Sequence, residues 1–163
     1  MKKIQLRSAL VDDIRILQQI YRQTIDSACR ADYDESQRTA WKRTAENGQR
    51  WIDAINGQYF QVAEIDGEIA GFGSLLNAVH IDFMYTASDF LGKGVAKQIY
   101  ARLESRAVEA GTGTLTSDVS KTAAPFFKHL GFVVIRENIN VIDGIEIRNY
   151  RMEKVLVPPS GTQ

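Results

Sequence analysis

Cysteine and histidine are nearly absent from this chain. A single cysteine, Cys29, excludes an internal disulfide and any zinc site made of several cysteines. The two histidines, His80 and His129, cannot build a His-rich metal centre without carboxylate help, and no metal site is expected. Net charge is also missing: 20 Lys and Arg balance 20 Asp and Glu. An overall electrostatic hold on nucleic acid needs a basic excess, so no nucleic-acid partner is expected. No run of about 20 apolar residues occurs, so no membrane span is expected. Met1-Lys2-Lys3 leads into the alternating Ile4-Gln5-Leu6-Arg7, which breaks any signal-type apolar region, and a cytoplasmic location is the expectation. Proline is scarce at 3 residues, two of them in the tail Val157-Pro158-Pro159-Ser160-Gly161-Thr162-Gln163, a composition expected to fray.

What is present fits one globular domain over residues 1–156, with 157–163 as a flexible tail. The 163 residues are 44% hydrophobic and 25% charged, too apolar for a disordered chain. Residues 3–9 alternate apolar and polar and predict a strand. Asp12 and Asp13 then open a helix whose Ile14, Leu17, Ile20, Tyr21, Ile25 and Ala28 share one face, the two carboxylates suiting its positive end. A polar loop and short helix follow over 30–46, and another short helix over 49–55. Segments 59–65 and 68–76 flank Asp66-Gly67, a two-residue hairpin signal, and 79–86 supplies the next strand. A helix is expected over 93–109, a strand over 114–119, a short helix over 122–130, and a last hairpin, 132–139 with 145–154, around Asp143-Gly144. Early and late hairpins with a β-α-β unit between them predict an α/β (α+β) fold with a mixed, mostly antiparallel sheet and helices on both faces.

Residues 82–97, DFMYTASDFLGKGVAK, carry the chemistry. A strand enters a loop, and Gly92-Lys93-Gly94 starts an amphipathic helix. Glycines let the backbone approach a ligand, and the first helical amides lack internal acceptors, so such an end attracts phosphate. A Walker A loop fails because Lys93 is followed by Gly94 rather than Ser or Thr, and a dinucleotide fingerprint fails for want of three spaced glycines. A plain glycine-rich helix start is the remaining alternative.

The strand, loop, Gly-Lys-Gly-Val-Ala and following helix resemble the acetyl-CoA-binding motif of the GNAT superfamily of N-acetyltransferases. Gly94 and Ala96 match that pattern, while Leu91 stands where the family has Gln or Arg. A second segment, Ala123-Ala124-Pro125-Phe126-Phe127-Lys128-His129-Leu130-Gly131-Phe132, resembles the family's late helix, and the likeness spans roughly 4–154. It implies a splayed central parallel strand pair, 80–86 and 114–119, with the pantetheine arm of acetyl-CoA between them, pairing with backbone near Met84 and Thr86. The diphosphate would rest on the amides of Leu91, Gly92, Lys93, Gly94, Val95, Ala96 and Lys97. An amide near Met84 or Tyr85 would face the thioester oxygen. Ser120 stands where many relatives place an asparagine that bonds the pantetheine, and it also suits a helix cap.

The implied activity is acetyl transfer from acetyl-CoA to a primary amine of a small molecule or peptide, with no metal and no covalent enzyme intermediate. Cys29 is far from the motif in sequence and has no flanking base. The family's usual acid is a tyrosine one residue after Phe126; here it is Phe127, which has no hydroxyl, so water, Tyr85, Ser120 or Tyr150 must substitute. His80, at the position where one branch of the family carries a catalytic glutamate, is the candidate base, with Asp82 on the same face to orient it, recognise an amine or act alone. His129 suits the end of its helix near Gly131. Asp32, Asp34 and Glu35 with Trp41 would suit a cationic acceptor or form a solvated loop. Leu91 and Phe127 motivate an alternative, a noncatalytic acyl-CoA-binding module of the same fold. A homodimer is an expectation carried from relatives.

Overall fold

The computed structural model describes residues 3–156; the expected tail, 157–163, lies outside them. Strands β1 (Ile4–Ser8), β2 (Tyr59–Ile65), β3 (Glu68–Leu76), β4 (His80–Thr86), β5 (Thr114–Ser120), β6 (Val133–Ile142) and β7 (Ile145–Val155) form one sheet in the order β1-β2-β3-β4-β5-β7-β6. Every neighbouring pair is antiparallel except β4 and β5. The helices are α1 (Ile14–Ser27), α2 (Glu35–Arg43), α3 (Gly48–Gly57), α4 (Val95–Glu109) and α5 (Ala124–His129). No helix among the described residues is long and apolar enough to cross a membrane.

Both expected hairpin turns form, with Asp66 and Asp143 at φ 51° and Gly67 and Gly144 at φ 77°, the left-handed pair that a twisted two-residue hairpin requires. The start of α1 differs from expectation. Asp12 and Asp13 sit in a 3-10 turn, Val11–Asp13, ahead of the helix. Asp13 accepts two bonds from the Arg7 guanidinium, at 2.8 and 2.9 Å, and one from the Leu10 amide at 2.8 Å, so it ties β1 to the helix start. The Arg7 contact holds its carboxyl below the usual range.

The sheet is covered on both faces. Leu75, Ile81, Val95, Ile99, Leu103, Leu115, Val119, Phe127 and Met152 fill the side under α4 and α5. Leu17, Ile25, Trp51, Phe60, Val62, Phe72 and Phe83 fill the side under α1 and α3. Two glycines on β3 set the height of α4. A Cβ at Gly71 would meet Tyr85 O at 2.8 Å and Val95 Cγ1 at 2.9 Å, and one at Gly73 would meet Ile99 Cγ2 at 2.6 Å. The close approach they allow brings the first turn of α4 over β4.

A bulge decides the site. Leu75 pairs with Ile81 but Ser74 pairs with Phe83, so Asp82 has no partner on β3. The extra residue reverses the alternation: Ile81 enters one core and Phe83 the other, although residues two apart in a regular strand share a face. The bulge also bends β4 away from β5. Parallel pairing covers only His80 with Thr116 and Ile81 with Ser117. Ser117 Oγ donates to Ile81 O at 2.8 Å at the point of parting. Beyond it the strands diverge, while β5 stays fully paired to β7.

Candidate active site

The divergence opens a cavity of about 1010 Å³, at the upper end of what one drug-sized ligand fills, about 300–1,000 Å³. It runs from the start of α4 to the β6–β7 hairpin. One half is walled mainly by backbone, the other by side chains.

In the first half, Met84, Tyr85 and Thr86 lie along the edge of β4 that has lost β5. Amides of a strand point alternately to its two edges, so every second polar group of this stretch faces the gap. The Thr86 carbonyl also accepts from Thr24 Oγ1 at 3.2 Å. A short 3-10 turn, Ser88–Phe90, leads to Leu91, which is exposed, and then to Gly92 and Gly94 at φ +76° and +81°. Nothing lies within 4 Å of where a Cβ would be at either glycine. Gly94 is the N-cap of α4 and offers no side chain to it, and the helix proper starts at Val95 rather than at residue 93. Among the described residues, the amides of Gly92, Lys93, Gly94, Val95, Ala96 and Lys97 have no intramolecular acceptor of good geometry. The result is a row of donors at a helix N-terminus beside open space, the arrangement that suits a phosphate. Lys97 lines the cavity, whereas Lys93 is exposed outside its wall.

Ser120 ends β5 on the cavity wall, and its Oγ accepts from the Ala123 amide at 3.1 Å, so it caps the turn into α5. Phe127 is buried against Phe132 at 5.1 Å between ring centres, with only part of its ring on the cavity, and Phe126 beside it is half-buried. Tyr85 packs on Tyr21 and Phe72, and burial pushes its hydroxyl well above the usual value. Tyr150 is half-buried against the α4 core and is not in the cavity wall.

The second half holds most of the charges. Four charged side chains line the wall among the described residues: Arg50, Asp82, Lys97 and Asp118. Asp82 accepts from Gln58 Nε2 at 2.8 Å and from Arg50 at 3.3 and 3.4 Å. It is therefore held by α3 and by Gln58, the residue that ends it, and His80 is oriented by other groups. His80 Nδ1 lies 2.7 Å from Thr116 Oγ1, and Nε2 lies 3.7 Å from Asp118 Oδ2. Burial lowers the His80 pKa despite the neighbouring carboxylates, which favours the neutral ring. Asp118 Oδ1 accepts from Arg151 Nε and Asn138 Nδ2, each at 2.8 Å, and Oδ2 accepts from Arg151 Nη2 at 3.1 Å. Burial works against this carboxylate, but the bonds from Arg151 and Asn138 outweigh it and hold its pKa low. With both lone pairs of Oδ1 used, the open acceptor position is on Oδ2, beside His80.

The acidic loop has a local role. Asp34 caps α2 by accepting from the Gln37 amide at 2.8 Å, and Asp32 accepts from Thr122 Oγ1 at 2.8 Å. Trp41 does reach the cavity, packed on Tyr33. Sequence reasoning missed Asp118, Arg50 and Tyr33 as residues of the site, while Tyr21 packs in the core at the cavity's rim. Tyr33 is buried, donates to Arg148 O at 2.6 Å and accepts from the Lys121 amide at 2.9 Å, pinning the α1–α2 connection across the ends of β5 and β7. Only the alternation of β5, which sends Thr116, Asp118 and Ser120 to one face, was available as a signal for Asp118. Distance in sequence also misled for Cys29. It lines the cavity, buried, and burial pushes its thiol up.

Comparison with known proteins bears on what such a cleft does. A family model described as an acetyltransferase (GNAT) domain matches residues 29–154. The N-acetyltransferase YafP of Escherichia coli (strain K12), itself uncharacterized, is 27% identical over 152 residues, covering 93% of this chain and 96% of that protein. The crystal structure of a GCN5-related N-acetyltransferase from Rhodopseudomonas palustris superposes with a TM-score of 0.91 at 32% identity, over 96% of this chain and 98% of that one. The PaiA N-acetyltransferase of Thermoplasma acidophilum, solved with coenzyme A, shares the fold at a TM-score of 0.76 and 18% identity, over 94% and 99%.

Proposed function

The chain belongs to the GNAT family of N-acetyltransferases, which are acyltransferases, and from that premise we propose that it moves an acetyl group from acetyl-CoA to a primary amine of a small molecule or peptide, by direct attack in a ternary complex. The observation that carries this reading is the gap between β4 and β5 that opens onto the unpartnered amides at 92–97. A diphosphate rests on those amides and the pantetheine arm runs along Met84, Tyr85 and Thr86, bringing the thioester to the point where the strands part. Ser120 and the ring of Phe127 border the arm from β5 and α5.

The acceptor enters from the side of Asp82 and Asp118. Its ammonium docks at Asp118 Oδ2, and the proton leaves toward Nε2 of His80, directly or through water. The neutral nitrogen then bonds to the thioester carbon, and the developing oxyanion meets a β4 amide near Met84 or Tyr85. Collapse breaks the C–S bond and expels the CoA thiolate, which takes up, through water, the second proton that the attacking nitrogen sheds as it becomes an amide; burial pushes the Tyr85 hydroxyl up and makes it a poorer donor. The raised Cys29 thiol supports direct transfer, because a thiol held protonated is a poor nucleophile. Residues 1–156 act as one domain in the cytoplasm. The exposed apolar edge strand β6, with Val133, Ile135, Ile139 and Val141, supports a homodimer.

The test is thiol release from acetyl-CoA across a panel of amines. Amine-dependent release with stoichiometric acetylated product is the expected result. Tight coenzyme A binding with no turnover on any amine would instead fit a noncatalytic binding module.

A further inference from the structure

Among the described residues, the acceptor half of the cavity contains one cation, Arg50, and its bonding is incomplete. The guanidinium reaches Asp82 through two contacts of 3.3 and 3.4 Å, long for a charge-assisted pair, which is commonly about 2.7–2.9 Å. Its side chain is 45% exposed, and its Cζ sits 4.5 Å from the centre of the Phe83 ring, so stacking holds the group in place whether or not it binds Asp82. Asp82, for its part, has a shorter bond from Gln58 at 2.8 Å. Arg50 can therefore leave Asp82 without stranding a buried carboxylate. The remaining cation on the wall, Lys97, belongs to the first turn of α4 at the other end of the cavity.

Across the same chamber, Asp118 is fixed by Arg151 and Asn138 and has an open acceptor position on Oδ2. One wall thus presents a partly used fork of N–H donors and another presents a fixed carboxylate. The same cavity wall includes the aromatic rings of Tyr21, Trp41 and Phe83. A simple amine would satisfy Asp118 and leave Arg50 with only its long pair to Asp82. A molecule bearing both charges would satisfy both.

We propose that the acceptor is an amino carboxylate, whose amine docks at Asp118 and whose carboxylate is taken by the Arg50 fork. This rests on the transferase reading above and adds the substrate class to it. Arg50 acts as a specificity-determining residue: it exchanges a long pair with Asp82 for a bidentate pair with the acceptor. Arginine suits this role better than lysine, since its planar fork matches a carboxylate with two parallel bonds.

The experiment compares matched pairs of acceptors, such as β-alanine, 4-aminobutyrate and lysine, each with its own carboxamide. The amine is kept and the negative charge is removed. In the unaltered protein, amidation is expected to raise KM about tenfold or more, the scale of one lost charged hydrogen bond, with kcat changing less. In Arg50→Met the acid and the amide should become equivalent, and Arg50→Lys should restore part of the preference. Each ratio is internal to one variant, so a change in folded fraction cancels. Equal use of acid and amide by the unaltered protein would overturn the proposal, as would an amide penalty that persists in Arg50→Met. Either result leaves the transferase reading standing. Absence of turnover on every amine, acid or amide, would overturn both together.

Discussion

The two halves of the cavity are built by different means. The half at the start of α4 is backbone: two left-handed glycines, a row of unpartnered amides and a strand edge that has lost its neighbour. The half near β6 and β7 is side chain: Arg50 from α3, Asp82 from a bulge, Asp118 from β5, and Tyr33 and Trp41 from the segment above, with His80 beside Asp118 but outside the wall itself. A backbone site recognises what is common to all its ligands and tolerates change in the surrounding side chains. A side-chain site can be rewritten one residue at a time. A shared cosubstrate and a variable acceptor call for that division.

The largest expected effect separates the halves. His80→Ala should lower turnover about 100-fold, the modest end of general-base contributions, with coenzyme A affinity unchanged by calorimetry. The pH profile sharpens this. Because burial lowers the folded pKa of His80, the neutral ring persists to lower pH than in a free histidine. Turnover should rise with pH along a limb placed below the ordinary value of about 6.5, and that limb should vanish in the variant. The same shift means that the unfolded chain takes up this proton first. The contribution of His80 to stability is therefore intact above its unfolded pKa and declines as pH falls through and below it. An unaltered pH profile in His80→Ala would remove the residue from the mechanism.

Gly94→Val is the reciprocal break. A left-handed φ costs an L-residue about 1–2 kcal/mol, and a side chain would enter the open space over the amides. Coenzyme A should bind about tenfold more weakly or worse, while the folded variant keeps its discrimination among acceptors. Undiminished affinity would contradict the placement of the diphosphate. The smallest effect is on the roof. Tyr33→Phe removes the hydroxyl that bonds the Lys121 amide and the Arg148 carbonyl, and should cost about 1 kcal/mol in chemical denaturation with little change in coenzyme A affinity. An unchanged denaturation midpoint would show that the roof is held by packing alone.

The same division explains what could be read from the sequence. Hairpin turns, helix faces and the glycine loop are local patterns, and Asp66-Gly67, Asp143-Gly144 and Gly92-Lys93-Gly94 all stand where short-range rules put them. The parallel pair was legible through the resemblance of its loop. The bulge was not, because no residue between Val79 and Thr86 announces a register shift; it follows from how β3 and β4 meet the helices on each face. Without the bulge, Asp82 reads as the partner of His80, whereas the structure gives it to Gln58 and Arg50 and gives His80 to Thr116 and Asp118. Asp118 lies 36 residues beyond Asp82 and meets the site only through the crossover from β4 to β5. Cys29 and Tyr33 arrive from still further away in the chain, so distance from the glycine loop carried no information about them.

The central claim is that backbone amides at 92–97 and the open edge of β4 hold coenzyme A. Amide hydrogen exchange with and without saturating coenzyme A tests it directly. Exchange should slow at 92–97 and at alternate positions of 82–86, with the hairpin of β6 and β7 unaffected. Binding that protects other segments and leaves 92–97 exchanging at its free rate would contradict the claim.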